Sequence, residues 1–335
     1  MAKTVEEIAR ATGVSVTTVR FVIGGQAERY RISQETRARV ERYIAEHGYS
    51  LNHTARALKL RRSESVGLVV PDLANPFFSR IMARLEGVCR ERSHVVLAVA
   101  SHEDPILESR AVAALLERGV DGLVIAPCQP ELPAALQAVK HVPHVVFFDR
   151  DYGHAAFPTV LSDNVQGAAA LTRRVLAEMP KDCMFFCGHA ETPTLSERIR
   201  AYAETCQAVG RPELGDSVHV HVEDSPLAGR QLMQAVLQQC GRPPQAFLCS
   251  SLLMLEGALQ ALKQATGRID PGLVIGTFDD HTMLDLLPNR VFSVSQNEAA
   301  LAEHAFAALA LDRPAAPAER VRIECQLIAR NVDAG

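Results

Sequence analysis

Residues 4–25 read TVEEIARATGVSVTTVRFVIGG. Thr4 followed three residues on by Glu7 is a capping box, which starts a helix. Val5, Ile8 and Ala9 recur at helical spacing and give that helix one apolar face. Gly13 interrupts the pattern, and Ser15 can cap a second helix that turns Val19, Val22 and Ile23 inward. Two short helices joined by a Gly-containing turn make a helix-turn-helix, whose second helix enters a DNA major groove. Facing outward on that helix are Val16, Thr17, Arg20 and Phe21. Arginine pairs with guanine edges, threonine donates or accepts, and valine or phenylalanine touches a thymine methyl. The plain competing reading is a helical hairpin with a chance Gly-Val-Ser turn.

The neighbouring residues favour the DNA reading. Ser33 caps a third helix that runs to about His47 and is stopped by Gly48, with Val40, Tyr43 and Ile44 as its apolar stripe. The loop before it, QAERYRI at 26–32, is long and basic, so Arg29 and Arg31 can reach phosphates, which position without reading sequence. Residues 52–62, NHTARALKLRR, allow a short helix capped by Asn52 and carrying Ala55 and Leu58. It has too little apolar surface to fold alone. With Arg56, Lys59, Arg61 and Arg62 alongside, Leu58 suits a wedge in the minor groove, although a plain linker fits the physics equally well. Residues 1–62 hold 12 Lys/Arg against 6 Asp/Glu, and the remaining chain holds 23 against 33. A basic head on an acidic body suits a nucleic-acid-binding domain attached to something that is not one.

At 335 residues the chain has room for two or three domains, and 47% hydrophobic with 22% charged residues is an ordinary globular composition. No apolar run is long enough to cross a membrane, and MAKTVEEIARATG lacks the apolar core of a signal peptide, so the expected location is the cytoplasm with no membrane partner. The eight cysteines show no zinc spacing, and Cys183 and Cys187 read as buried strand residues. Among twelve histidines only His219 and His221 alternate on one strand face, without carboxylate or cysteine companions, so no metal is expected.

From Ser65 apolar runs alternate with helical patterns. The first series is 65–72, 95–101, 122–127, 144–150 and 159–163; the second is 183–188, 217–222, 245–251, 273–280, 292–297 and 321–328. Continuous apolar strands with intervening helices predict parallel sheets covered on both faces. Two such series predict two doubly wound lobes, with ligands at the carboxyl ends of the strands in the crevice between them. Polar residues collect at those ends: Asp72, Ser101, His102, Asp149, Arg150, Asp163, Ser251, Asp279 and Gln296. Singly, each reads best as a cap or turn former; together they describe a polar cleft with hydroxyl-binding chemistry. No Gly-rich phosphate loop, nucleophile elbow or kinase signature follows any strand, so no catalytic residue and no cofactor are expected.

The head, the stretch Ala55-Arg56-Ala57-Leu58, the join SVGLVVPD at 65–72 with Asn75-Pro76-Phe77-Phe78 after it, Phe278-Asp279-Asp280 and Gln296 together resemble the LacI/GalR family of bacterial transcription regulators. The likeness runs from about residue 3 to near the C-terminus. Within the family, the extended loop 24–33, SHEDP at 101–105 and TFDD at 277–280 followed by LDLL at 284–287 are most similar to the fructose-repressor, or catabolite repressor–activator, branch. The sucrose-operon repressors are its near neighbour.

The resemblance implies an N-terminal all-α helix-turn-helix head on a periplasmic-binding-protein-like α/β body of two doubly wound parallel-sheet lobes. The expected divisions are a DNA-binding domain at 1–51, a hinge at 52–62 and an effector-binding and dimerisation body at 63–335. Within the body the N-lobe is expected at about 63–163 and 296–318, and the C-lobe at about 164–295 and 319–335. The DNA-facing set is Thr4, Ser15, Val16, Thr17, Thr18, Arg20, Phe21, Arg29, Arg31, Asn52, Ala55, Arg56 and Leu58. The effector set is Asp72, Phe77, Phe78, Ser101, His102, Asp149, Arg150, Arg198, Ser251, Asp279 and Gln296. Arg198 is the match to the family's cleft arginine, which stands shortly before a Gly-aromatic pair; here Ala201-Tyr202 follows, the glycine is missing, and Arg200 is its rival. Gly24 stands where many relatives end the recognition helix with asparagine, and Phe21 replaces a frequent polar base reader.

The implied function is a transcription regulator, a repressor by type, controlled by a sugar phosphate such as fructose 1-phosphate. Its expected partners are operator DNA and a second copy of itself, because one short recognition helix reads too few bases to be specific. A tetramer is the further assembly left open. A transport-type sugar-binding protein and an α/β enzyme are the competing classes; retention on heparin against turnover of sugar phosphates separates them.

Overall fold

The computed structural model describes residues 3–49, 62–138, 144–312 and 318–332. The hinge residues Asn52, Ala55, Arg56 and Leu58 lie outside these described residues. The chain divides into two compact units, residues 1–63 and 64–335.

Among its described residues the first unit has three helices: α1 (Val5–Thr12), α2 (Val16–Ile23) and α3 (Gln34–His47). At the start of α1 the Glu7 amide donates to Thr4 Oγ1 (3.3 Å) while the Thr4 amide donates to Glu7 Oε2 (2.8 Å), so the capping box is closed in both directions. Gly13 ends α1 at φ 66°, a left-handed value that lets the chain turn into Ser15, the cap of α2. Ile8, Ala9, Val19, Val22, Ala27 and Val40 form the small core.

The second unit is two six-stranded sheets wrapped in helices. The N-lobe sheet runs in the order β11-β5-β4-β3-β1-β2, from β1 (Ser65–Val70), β2 (Val95–Ala100), β3 (Gly122–Ile125), β4 (His144–Phe148), β5 (Thr159–Ser162) and β11 (Arg320–Ile323). The C-lobe sheet runs β12-β10-β9-β8-β6-β7, from β6 (Cys183–Gly188), β7 (Val218–His221), β8 (Ala246–Cys249), β9 (Val274–Phe278), β10 (Arg290–Ser295) and β12 (Gln326–Arg330). All pairings are parallel except β12, which lies antiparallel to β10.

Both faces of each sheet are covered, as continuous apolar strands require. In the N-lobe, Val66, Leu68 and Val70 of β1 meet α4 (Pro76–Glu91) and α12 (Glu298–Leu309) on one face, while Val69 meets α5 (Pro105–Glu117) on the other. In the C-lobe, Phe185 of β6 packs toward α7 (Asn164–Leu176) and α8 (Pro193–Ala208). Phe186 packs toward α10 (Pro226–Cys240) and α11 (Leu252–Thr266). Among the described residues, two short helices, α6 (Ala134–Ala138) and α9 (Pro212–Gly215), and the 3-10 turn Thr282–Leu286 complete the order. Each fully buried large side chain contributes about 1.5–3 kcal/mol, so these four layers supply the main driving force.

The expected lobe boundary near the C-terminus is corrected. Residues 321–328 are not one C-lobe strand. Arg320–Ile323 joins the N-lobe sheet beside β5, and the chain crosses at Glu324-Cys325 before Gln326–Arg330 joins the C-lobe. Packing forces the split: Val321 and Ile323 rest on the N-lobe core, whereas Leu327 rests on that of the C-lobe. The other two crossings lie between β5 and α7 and between β10 and α12.

Candidate functional site

The head carries the DNA-facing set on α2 and the loop after it. Thr17 and Arg20 are exposed on α2, with Arg20 3.8 Å from Glu6. Arg29 and Arg31 are exposed in the loop. Two outward assignments are corrected. Val16 is half-buried against the head core, and Phe21 is half-buried because its ring stacks on Tyr30, with centroids 3.6 Å apart. In both cases an apolar side chain found a partner within reach instead of water. Thr4 and Ser15 cap their helices, and Thr18 shares a 2.8 Å hydrogen bond with Ser15.

In the body, the carboxyl ends of the strands face one another across a cleft of about 510 Å³. Ten of the eleven expected effector residues line it; Ser101 does not. Ser101 is fully buried and its hydroxyl donates to the Val70 carbonyl (3.4 Å), so it tethers the turn after β2. The cleft also takes in residues the sequence reading missed, among them Glu103, His189, Thr194, Glu223 and Asp224.

Each strand end sets its side chain by a local device. Asp149 follows β4 and Asp279 follows β9; both are left-handed, at φ 63° and 67°, and both are buried. Burial raises both carboxyls above the ordinary aspartate value against the pull of Arg198 and, for Asp149, Arg150. Gln296 lies in the second crossing and joins the lobes: Ser162 Oγ donates to its Oε1 (2.5 Å), and its Nε2 donates to Asp279 (2.6 Å). Ser251 caps α11 and donates to Asp224 (2.7 Å), whose carboxyl is also raised by burial. Gly188 makes room for this: a Cβ there would stand 2.3 Å from the Glu223 carbonyl, so only glycine lets residues 223–225 close against the end of β6. Asp72 accepts from the Ala74 amide (2.8 Å). Phe77 and Phe78 meet edge to face at 5.1 Å and present little more than an edge to the cleft.

The rivalry of the arginines is resolved by burial. Arg198 is 4% exposed and lines the cleft, whereas the Arg200 side chain is 60% exposed and lies 3.8 Å from Glu204 on the same helix. Arg198 Nε donates to Asn164 Oδ1 (3.0 Å), its Nη1 donates to the Ser250 carbonyl (2.7 Å), and its guanidinium stacks 3.7 Å over the Phe278 ring. Its Nη2 has no hydrogen-bond partner among the described residues. Arg150 differs: both its Nη groups donate to Glu103, at 2.7 and 2.5 Å. The Glu103 carboxyl, pushed up by burial, is held below its ordinary value by Arg150.

His219 packs edge-on against Phe186, and His221 Nδ1 accepts from the Glu223 amide (3.0 Å). No helix among the described residues is long and apolar enough to cross a membrane.

Two families match the two units in turn. Residues 4–52 match the bacterial regulatory proteins of the lacI family, and residues 66–311 match a periplasmic binding protein domain. The fructose operon regulatory protein of Vibrio cholerae is 32% identical over 333 residues, covering 98% of both chains. The sucrose operon repressor of Klebsiella pneumoniae is 32% identical over 306 residues, covering 90% of both. In structure, the Cra transcriptional dual regulator of Pseudomonas putida, in complex with fructose 1-phosphate, aligns with a TM-score of 0.73 at 24% identity, over 80% of this chain and 99% of that one. With the helix-turn-helix and the two-lobed cleft each matched in place, the chain belongs to the lacI family: it is a DNA-binding transcription regulator that responds to a sugar, and not an enzyme.

Proposed function

We propose that this regulator binds its operator as a two-fold dimer in the cytoplasm and releases it when a phosphorylated ketose of the fructose type enters the cleft. The observation that carries the effector reading is Arg198: a buried guanidinium in the cleft wall, fixed by Asn164 and Ser250, with Nη2 left open. A planar guanidinium can fork two oxygens of one phosphate group. Asp149, Asp224 and Asp279 supply acceptors for sugar hydroxyls, and Gln296 ties Asp279 to the N-lobe, so a ligand that bridges them favours one lobe arrangement. A ligand shifts the DNA-binding state only by its difference in affinity for the two arrangements. The Vibrio cholerae relative, named as a fructose operon regulatory protein, and the Pseudomonas putida regulator, in complex with fructose 1-phosphate, support the same class.

A second reading, an uncharged sugar such as sucrose, is favoured by the surplus of acids. Asp149, Asp224 and Asp279 line a cleft in which Arg150 is already taken by Glu103. The Klebsiella sucrose operon repressor is equally similar. Calorimetry of the full chain against fructose 1-phosphate, fructose 1,6-bisphosphate, fructose 6-phosphate and sucrose separates the two. The phosphate reading expects Arg198→Ala to lose sugar-phosphate affinity by about 10–100-fold, since a hydrogen bond to a charged group contributes about 1.5–3 kcal/mol. Operator binding should persist. Sucrose binding alone, or release of DNA by a sugar phosphate from the Arg198→Ala protein, sinks it.

On the DNA side, Thr17 and Arg20 carry the sequence discrimination, with Arg29 and Arg31 on phosphates. Arg20→Ala should cost about 1–3 kcal/mol on the preferred operator and little on random DNA. Equal losses on both, in a gel-shift titration at fixed salt, would assign the reading to another face.

A further inference from the structure

Arg150 leaves the end of β4 and is almost entirely spoken for. Its Nη1 donates to Glu103 Oε2 (2.7 Å) and to the Pro127 carbonyl (3.2 Å), and its Nη2 donates to Glu103 Oε1 (2.5 Å). Two parallel N–H donors on a carboxylate reproduce the way a guanidinium takes two oxygens of a phosphate. Glu103 therefore sits where an anionic ligand group would sit. The turn that puts it there is His102-Glu103, both left-handed at φ 54° and 57°, between β2 and the Asp104 cap of α5. Consecutive non-glycine residues in that region persist only where the surroundings fix them. The two-pronged contact with Arg150 is such a fixing contact. Both residues line the cleft, and no carboxylate occupies the fork of Arg198 opposite.

We propose that Glu103 is a built-in anion that closes Arg150 to external anionic groups, and so limits the effector to a single anionic group, received at Arg198. The limit on the effector rests on the sugar-phosphate reading above; the closure of Arg150 does not. Glu103 acts on specificity through Arg150, as a positioning residue. Without its carboxylate, the two Nη groups of a buried guanidinium face the cleft with no carboxylate in their fork, Asp149 lying only beside Nε at 4.0 Å, and they become an anion site.

The test uses the full chain, with Glu103→Gln and Glu103→Ala, and inorganic sulfate as the probe. Thermal melting in sulfate is compared with chloride at equal ionic strength. Sulfate should bind each variant at least tenfold more tightly than the unsubstituted protein, a difference a purely structural role would not create. If either variant is unfolded in chloride, sulfate should restore its fold. Equal sulfate responses in all three proteins, or variants that stay unfolded in sulfate, overturn the proposal. In parallel, Glu103→Gln should move the ratio of fructose 1,6-bisphosphate to fructose 1-phosphate affinity at least tenfold toward the bisphosphate. A gained sulfate response in a protein that binds no sugar phosphate removes the effector reading and leaves the role of Glu103 intact. Sugar-phosphate binding with an unchanged sulfate response does the reverse.

Discussion

The two lobes of the body share a strand order and place the same dipeptide at the same point in it. Phe148-Asp149 ends the third strand of one sheet and Phe278-Asp279 the third of the other, with both aspartates left-handed and buried. The next residue breaks the likeness. In the N-lobe it is Arg150, held by Glu103. In the C-lobe it is Asp280, which turns away to accept from Ser293 (2.6 Å) and to pair with Arg330 (2.8 Å). The arginine of the C-lobe comes instead from α8, as Arg198, and keeps part of its guanidinium open. A repeated fold thus yields two cationic positions with different duties: one builds the wall of the cleft, and the other waits for the ligand.

The sharpest way to break that comparison is to remove each arginine and ask what is lost. Arg150→Ala leaves the Glu103 carboxylate without its partner in a largely buried position. Breaking a buried pair costs about 3–5 kcal/mol, and the partial exposure of Glu103 places this case near the lower end. For a body of this size that is a fall of very roughly 5–10 °C in melting temperature. Arg198→Ala should destabilise less, because its hydrogen-bond partners are a carbonyl and an amide and burial already favours the neutral form of the neighbouring Asp149, Asp224 and Asp279, while losing the sugar. Thermal melting of both variants decides it. An Arg198→Ala protein that melts below Arg150→Ala would reverse the duties assigned to the two lobes.

How much of this was legible depends on the scale of the interaction. The helix-turn-helix followed from local signals, because Thr4, Gly13 and Ser15 act on residues within four positions of themselves. The strands followed from apolar runs, and seven cleft residues from the rule that ligands meet strand carboxyl ends; Arg198, Phe77 and Phe78 came from the family resemblance instead. Applied to β6 and β7 as well, the same rule points to His189, Glu223 and Asp224. What sequence could not supply was the pairing of groups far apart in the chain. Glu103 and Arg150 are 47 positions apart, so nothing local announces that one occupies the other. The splitting of 321–328 between two sheets was hidden for the same reason, since apolar alternation gives a strand its period and not the sheet it joins. Phe21 looked outward because its partner, Tyr30, arrives from the next loop.

The smallest effect compares the two aspartates themselves. Burial raises the Asp149 carboxyl above its ordinary value of 3.8; Arg150 and Arg198 oppose this, and Asp279 and Glu103 add to it. The folded protein therefore holds that proton more tightly than the unfolded chain. Its contribution to stability is full below the unfolded value and declines as pH rises through the raised folded value. At neutral pH the buried charge is a standing cost, set against the acceptor it offers a sugar. The Asp149 carboxylate accepts no hydrogen bond among the described residues, with Arg150 Nε 4.0 Å away, whereas the Asp279 carboxylate accepts one from Gln296. Asp149→Asn should accordingly stabilise the empty protein at pH 7 by about 1 kcal/mol, a rise of about 2–4 °C, with the gain shrinking as pH falls toward 4. Asp279→Asn should gain less, because its amide must compete with that of Gln296 for position. Both variants should bind the effector more weakly. Melting curves between pH 4 and 8 test this pair, and an Asp149→Asn protein no more stable than its parent at pH 7 would mean that Arg150 and Arg198 already neutralise the charge in full.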